Sequence, residues 1–239
     1  MRKVLFGTPC YDGKVNAEFL HSLVNTIKMC PPDIEIIPIQ VCYDALVQRA
    51  RNDLFQMAVE SGCDDIIFMD ADQEWNPEWI FTLLNHPVDV VGGTVIKKSD
   101  EIAFNVKILD SGMKVEESGL IEVLSVGTGF LRVSKEAIQS IWEISSEYTS
   151  QGKTSRLVFD IKIIDGELIS EDNVFCRKWA DLGGKVYIDP TMTCNHIGVK
   201  KYSGNFLEFI NSLAVKELAP SPVINDGIDE FGEAAVIHP

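Results

Sequence analysis

Three carboxylates follow one another closely at the end of a strongly apolar run. The stretch DDIIFMDADQEW places Asp70 and Asp72 one residue apart, and Glu74 follows shortly after. Carboxylate oxygens are hard ligands that suit Mg²⁺ or Mn²⁺, ions that also bind water and phosphate oxygens. Such a cluster either lies in solvent as an ordinary polar loop or is neutralised by a positive group. The rest of the chain decides between these two interpretations.

A second acidic pair and a histidine occur much later in the chain. Glu171 and Asp172 begin a predicted helix in SEDNVFCRKWADLGG, where the helix dipole and the free amides favour carboxylates. His196 follows the predicted strand KVYIDP, within TMTCNHIG. Capping alone explains the acids, and a lone histidine needs no ligand. As an ordered set with Asp70 and Asp72, however, these residue types are suited to metal binding and proton transfer.

The first part of the chain alternates between strand-like and helix-like segments. Strands are predicted in KVLFGTP, IEIIPI, DDIIFMD and VDVVGGT, and helices in NAEFLHSLVNTIKMC, DALVQRARNDLFQMAVESG and NPEWIFTLLN. This alternation predicts an α/β fold with a mostly parallel central sheet flanked by helices. Such sheets bind ligands at the carboxyl ends of their strands, which is where Asp70, Asp72 and the loop GTPCYDG fall.

The second part of the chain has a different pattern. Residues 100–133 are strand-like with turns, SKEAIQSIWEISSEY is a helix capped by Ser134, and SRLVFDIKIIDGELIS is typical of a hairpin. We therefore expect one domain over residues 1–218, divided into two halves at about residues 1–99 and 100–218. Residues 219–239 are rich in Pro, Gly and acids and are predicted to form a tail.

The chain is strongly acidic, with 36 acidic and 21 basic residues and a formal net charge of -15. This charge argues against broad binding to a nucleic-acid backbone, although Lys97-Lys98 and Lys200-Lys201 are local basic pairs. The six cysteines are scattered without a CxxC pair, which favours reduced thiols. No stretch is long and apolar enough for a membrane span or a signal peptide, so we expect a cytoplasmic protein, in the host cytoplasm if it is viral.

A series of motifs, in order along the chain, resembles the GT-A nucleotide-sugar glycosyltransferases of the family-2-like group. These motifs are GTPCYDG, IIFMDAD, NPEWI, GTGFLRV, EDNVFCRKWADLGG and CNHIG. The resemblance covers about residues 3 to 200 and implies a GT-A (Rossmann-like) fold with a small antiparallel part on the acceptor side. It also implies that the half at about 1–99 binds the nucleotide and that the half at about 100–218 is the acceptor and catalytic half. Without a predicted membrane span or a QxxRW-type motif, the chain looks most like the small soluble glycosyltransferases of bacteriophages.

The resemblance also implies roles for the matching residues. Those that match its nucleotide- and donor-binding positions are Thr8, Pro9, Tyr11, Arg49, Arg51, Asn52, Asp70, Ala71, Gly127, Thr128 and Gly129. Those that match its metal ligands, for Mn²⁺ or Mg²⁺, are Asp70, Asp72 and His196. Asp172, or Glu171, occupies the position of the catalytic base in inverting members.

We therefore expect a metal-dependent transfer of a sugar from a nucleotide-sugar donor, with a UDP-sugar favoured, to an acceptor hydroxyl. Inversion is favoured over retention. The acceptor stays open between hydroxymethylated pyrimidines of phage DNA, a surface saccharide and a protein, and no oligomeric state is predicted. A sugar nucleotidyltransferase is the main alternative, but GTPCYDGK lacks a dense glycine-rich basic loop for a triphosphate. A noncatalytic binding module would not require Asp172.

Overall fold

A long mixed sheet organises the computed structural model, which describes residues 1–150, 152–198 and 200–218. The helices are α1 (Ala17–Met29), α2 (Val47–Ser61), α3 (Glu78–Asn85), α4 (Lys135–Ile144), α5 (Glu171–Asp181) and α6 (Phe206–Leu218). The strands are β1 (Arg2–Cys10), β2 (Ile34–Cys42), β3 (Asp65–Met69), β4 (Gln73–Glu74), β5 (Val90–Val95), β6 (Val106–Ile108), β7 (Lys114–Val115), β8 (Ile121–Val126), β9 (Phe130–Ser134), β10 (Glu147–Ser150), β11 (Lys153–Arg156), β12 (Lys162–Ile164), β13 (Glu167–Ile169), β14 (Val186–Ile197) and β15 (Lys201–Tyr202).

The strands of the main sheet lie in the order β2-β1-β3-β9-β5-β14-β8-β6. The strands β2, β1, β3, β5, β14 and β6 run in one direction, and β9 and β8 run against them. The predicted α/β fold with a mostly parallel sheet is thus confirmed. The fourth strand along the chain does not adjoin the third, however, because β9 lies between β3 and β5 and pairs antiparallel with both.

Buried salt bridges and apolar contacts explain why β9 occupies this central place. All of its residues are buried, in the sequence FLRVS. Its one charged residue, Arg132, donates to Asp65 of β3, whose side chain is fully buried and also accepts from Arg2. A buried charge is tolerated only with a partner of opposite charge, so the Asp65 pairs fix β9 beside β3.

Two apolar cores lie on the opposite faces of the sheet. Successive strand residues alternate between them: Leu5 and Phe68 pack with α2, α4 and α5, whereas Phe6 and Met69 pack with α1 and α3. This alternation is the period of a strand that is covered on both faces. Helices on both faces leave the strand ends as the open edge of the layer, and the carboxylates of the DxD motif lie at that edge.

Local signals in the sequence account for most element ends. Ser134 caps α4 by accepting a hydrogen bond from the amide of Ala137, as predicted. The helix α2 ends at Gly62, whose φ of 63° is the left-handed conformation that glycine adopts without strain. The strands β10–β11 and β12–β13 form two small antiparallel pairs outside the main sheet.

Within the described residues, no helix combines the length and apolar character that crossing a membrane requires. The predicted tail at 219–239 lies outside the described residues. The division into a nucleotide-binding half and an acceptor half stays a prediction.

Candidate active site

The DxD motif forms a tight turn directly after β3. The amide of Asp70 donates to the carbonyl of Gly129 over 3.1 Å, and the amide of Gln73 donates back to the carbonyl of Asp70 over 3.2 Å. The carbonyl of Asp72 accepts from the amide of Ile197 over 2.7 Å, and β4 pairs antiparallel with the end of β14. The turn is therefore fixed to β14, which brings His196 next to Asp72.

The side chains of His196 and Lys98 both contact one oxygen of Asp72. Its Oδ2 atom lies 3.2 Å from Nε2 of His196 and 2.5 Å from Nζ of Lys98. The other ring nitrogen of His196, Nδ1, donates to the carbonyl of Ile96 over 2.9 Å. Burial raises the pKa of Asp72, but the hydrogen bonds from His196 and Lys98 outweigh that effect and lower the pKa below its usual value. The carboxylate is therefore held in its charged form.

The carboxylate of Asp70 faces a different cation. Arg51 of α2, which is only 5% exposed, donates from Nη2 to Asp70 over 3.0 Å and from Nη1 to Glu171 over 2.5 Å. One guanidinium thus bridges the end of β3 and the first turn of α5. The Oδ2 atom of Asp70 points instead at Gly129, where a Cβ would come within 2.9 Å of it. Only glycine leaves room for this carboxylate.

Asp172 is held by neighbours on three sides. Its Oδ1 atom accepts from the hydroxyl of Ser170 and from the amide of Asn173, the latter over 2.7 Å. Its Oδ2 atom accepts from Nδ2 of Asn105 over 3.3 Å. Asn105 packs against Gly127, where any Cβ would collide with the Asn105 side chain. The α5 carboxylate is therefore oriented by a residue that lines a cavity.

Two cavities adjoin at the DxD turn. The larger, of about 600 Å³, is lined by residues that follow β1, by the start of α2 and by the turn, among them Pro9, Tyr11, Lys14, Asp44, Asp70, Ala71, Asp72 and His196. The smaller, of about 240 Å³, is lined among others by Asp70, Gln73, Lys97, Lys98, Asn105, Gly127, Gly129 and His196. Asp70 and His196 belong to both linings, so the site has two connected compartments.

The structure brings many of the predicted residues to these compartments. Pro9, Tyr11 and Ala71 line the larger cavity, and Gly127 and Gly129 line the smaller. Two hydroxyls next to these loops, those of Thr8 and Thr128, are buried and have no hydrogen-bond partner among the described residues. Thr8 and Thr128 thus lie next to lining residues without being part of either lining.

Three predicted donor contacts on α2 have other partners. The side-chain amide of Asn52 is buried and bonds the backbone of Phe159 in both directions, at 3.0 and 2.7 Å. Arg51 is buried between carboxylates, and Arg49 bonds Asp44 over 2.6 Å. Among the described residues, neither Asn52 nor Arg51 belongs to the lining of the two cavities, and their roles in donor binding stay predictions.

Two residues of the site were not predicted. Lys98 and Asn105 belong to no motif, since Lys98 lies in a basic pair and Asn105 directly precedes the short strand β6. The predicted sheet could have indicated Lys98 as a site residue, but not Asn105. Lys98 follows β5, which runs in the same direction as β3, so its carboxyl end lies at the same edge as the DxD turn. Asn105 is recognisable only from the contact with Asp172.

Comparisons with known proteins support the fold. No family model matches the chain, and no curated protein matches it. Among solved structures, the crystal structure of A197 from STIV aligns with a TM-score of 0.53 and 20% identity, over 83% of this chain and 86% of that one. S. aureus TarS 1-349 aligns with a TM-score of 0.34 and 16% identity, over 91% of this chain and 66% of that one. The match to A197 supports the predicted GT-A-like α/β fold.

Proposed function

We propose that the protein is a metal-dependent glycosyltransferase that moves a sugar from a nucleoside-diphosphate sugar to an acceptor hydroxyl. The observation that carries this proposal is the pair of cavities that share Asp70 and His196 in their linings. The larger cavity, of about 600 Å³, has the size of a nucleotide site, and the smaller has room for a sugar. The diphosphate between them then lies beside the DxD turn.

The chemistry of His196 and Asp72 fits a divalent cation. A carbonyl only accepts hydrogen bonds, so Nδ1 of His196 carries a proton, and a cation that displaces the proton between Nε2 and Asp72 would find a lone pair on Nε2. That lone pair faces Oδ2 of Asp72 at 3.2 Å, and two acceptors at such a distance need a proton or a cation between them. Neighbouring ligands of an octahedral Mg²⁺ at about 2.1 Å are about 3.0 Å apart, close to this separation.

Asp70 is the third residue proposed for the cation. Its Oδ1 is bound to Arg51, its Oδ2 lies near Gly129, and the residue lines both cavities. Among the described residues, no three side chains of His, Cys, Asp or Glu already form a group that could hold a metal ion. We therefore propose Asp72 and His196 as the primary ligands, with Oδ2 of Asp70 added. When bound, Mn²⁺ or Mg²⁺ supplies a positive charge against the departing diphosphate.

The proposed reaction is a displacement at the sugar carbon that bears the diphosphate. The acceptor oxygen forms the new bond to this carbon, the bond to the phosphate oxygen breaks, and its electron pair leaves with the nucleoside diphosphate. The proton of the acceptor hydroxyl passes to Asp172 Oδ2, the carboxylate oxygen not taken by Ser170 and Asn173. A single displacement of this kind inverts the sugar carbon.

Asn105 controls the approach to this base. Neither Glu171 nor Asp172 belongs to the lining of the two cavities in the described part of the chain, whereas Asn105 does. Glu171 is bound to Arg51, so Asp172 is the preferred base of the two. The acceptor hydroxyl reaches Asp172 beside the Asn105 amide, which we propose to bind the hydroxyl as well as orient the carboxylate.

The acceptor is the least constrained part of the proposal. The basic residues that favour a DNA acceptor are largely paired, since Lys98 bonds Asp72, Lys200 bonds Asp100 and Lys201 bonds Glu74. These pairs leave little free positive charge for a phosphate backbone. Hydroxymethylated DNA, a saccharide and a protein hydroxyl are therefore to be compared directly as acceptors, once the donor is known.

Calorimetric titration with UDP, GDP, CMP and dTDP, each with and without Mn²⁺, tests the proposal. We expect one of these nucleotides to bind, with a UDP preference, and Mn²⁺ to tighten its binding. In Asp72→Asn the Mn²⁺ effect is lost, because one cation ligand is gone, while the matched control Asp33→Asn, which removes the same charge from an exposed turn between α1 and β2, leaves it intact. Absence of binding to all four nucleotides would contradict the proposal.

Product analysis separates the two candidate enzymes. With the matching nucleotide sugar, a glycosyltransferase releases a nucleoside diphosphate, slowly to water or faster to an acceptor. A nucleotidyltransferase instead consumes a nucleoside triphosphate and releases pyrophosphate. Pyrophosphate release would therefore replace the proposed function with the alternative.

A further inference from the structure

Lys98 occupies the place at which a divalent cation would contact Asp72. Its Nζ lies 2.5 Å from Oδ2 of Asp72, the same oxygen that faces His196. The side chains of Lys98 and Asp72 are each 35% exposed, so neither is locked in the protein interior. The ammonium is thus a movable positive charge on the oxygen that the proposed function assigns to a metal ion.

An ammonium and a divalent cation compete for this oxygen. Both need its lone pairs, and two positive charges a few ångströms apart repel each other. Lys98 therefore leaves Asp72 when the carboxylate binds Mn²⁺ or Mg²⁺. Lysine is suited to such an exchange because its charge is compact and sits on a flexible four-carbon chain.

The surroundings indicate where the released ammonium goes. Lys98 lines the smaller cavity, and its partner Asp72 lines the larger, so Lys98 lies where the two cavities adjoin. The larger cavity is also lined by Asp12, Asp44 and Asp70, and the cations nearest to them, Lys14, Arg49 and Arg51, are each paired with one of these carboxylates. An ammonium released at this junction would therefore be attracted to the phosphate groups of a donor.

We propose that Lys98 is a diphosphate-binding residue, which neutralises Asp72 before the donor arrives and turns to the phosphate oxygens when Asp72 takes the cation. This role rests on the proposed function. It makes two predictions of opposite sign for one substitution: loss of the ammonium strengthens metal binding and weakens nucleotide binding. A lysine that only stabilises the local structure predicts neither change.

The first measurement is Mn²⁺ binding without nucleotide, followed by electron paramagnetic resonance. We expect Lys98→Met to bind Mn²⁺ about tenfold more tightly than the wild-type protein, since a competing charge is removed. Lys200→Met is the matched control, because it deletes the same charge from the nearby pair with Asp100 and leaves Asp72 untouched. Equal Mn²⁺ affinity in Lys98→Met and the wild type would contradict the proposal that Lys98 competes with the cation for Asp72.

The second measurement is the affinity for UDP, or for whichever nucleoside diphosphate binds the wild type, at saturating Mn²⁺. We expect Lys98→Met to weaken it about tenfold and Lys98→Arg to retain most of it, since arginine also binds phosphate. Unchanged affinity in Lys98→Met would overturn the phosphate role. Binding by the wild type tests the proposed function, whereas the difference between wild type and Lys98→Met tests the role of Lys98.

Discussion

Asp70 and Asp72 stand one residue apart, yet their environments differ in kind. Asp70 is bound by Arg51, a buried guanidinium that also holds Glu171. Asp72 is bound by Lys98 and His196, whose side chains are 35% and 21% exposed, respectively. The two carboxylates are similarly exposed, at 30% and 35%, so the difference lies in their cations: a buried guanidinium on Asp70 and exchangeable, partly exposed groups on Asp72.

This difference teaches how a cluster of like charges can fold and still bind a ligand. Arginine stays charged at all physiological pH values and forms a rigid fork, which suits a permanent bridge between two elements. Lysine and histidine change partner or protonation state at low cost, which suits a site that must admit a cation. The fixed side positions the turn, and the exchangeable side is left for chemistry.

The largest expected effect concerns Asp172, the proposed base, which follows Glu171 in the first turn of α5. Asp172→Asn keeps the shape and the bond to Ser170 but cannot accept a proton, so we expect the kcat of sugar transfer to fall about 10²–10⁴-fold. Affinity for the nucleoside diphosphate should stay within about twofold of the wild type, because Asp172 does not line the larger cavity. Enzyme kinetics measures the kcat, and calorimetry measures the affinity for the nucleoside diphosphate. Full activity of Asp172→Asn would contradict its role as base.

Removal of each cation tests the comparison through stability. Arg51→Met leaves Asp70 and Glu171 without their buried partner, and we expect a loss of about 3 kcal/mol in the free energy of unfolding. Lys98→Met leaves a carboxylate that water can reach, so its expected cost is below about 1 kcal/mol. Urea unfolding of both variants provides the measurement. Equal losses would mean that the two sides of the turn are alike.

Arg49→Met provides a control for Arg51→Met on the same helix. Arg49 pairs with Asp44 near the surface, and its loss should cost below about 1 kcal/mol. A large loss for Arg49→Met as well would indicate that α2 tolerates no change of this type, and the result for Arg51 would then say little about Asp70.

Local sequence pattern was sufficient for most of the fold. Apolar runs, helical spacing and caps such as Ser134 predicted the alternating elements and the strand that ends at Asp70. The insertion of β9 between β3 and β5 could not be predicted this way, because it depends on pairing between distant segments. Its buried Arg132 meets Asp65 far away in the sequence, and no local pattern encodes such a meeting.

The candidate site also contains residues that the sequence predicted and contacts that it could not predict. Asp70, Asp72, Asp172 and His196 were found from residue type and order, and the contact between Asp72 and His196 agrees with their predicted proximity. The burial of Arg51 and Asn52 could not be predicted, because a helical pattern does not show whether a polar side chain faces a cavity or the interior. Contacts across the fold, such as that of Asn105 with Asp172, exist only once the chain has folded.

A third cation extends the comparison with the smallest expected effect. The side chain of Lys178 in α5 is half-buried. It differs from Arg51 and Lys98 because it bonds the carbonyls of Leu157 and Val158 rather than a carboxylate. Burial, with a further contribution from Lys162, lowers the pKa of Lys178 to about 8. In the unfolded chain the same group keeps its proton up to about pH 10.4.

Between these two pH values the unfolded chain binds more protons, so the free energy of unfolding should rise with pH. We expect the wild-type protein to gain about 1 kcal/mol relative to Lys178→Met from pH 8 to pH 10, after allowance for solvent screening. Urea unfolding of both proteins across this range measures the difference, and other titrating groups cancel because they are common to both. Parallel stability curves would show that Lys178 titrates as it does in water, and that a buried lysine here needs no carboxylate to stay charged.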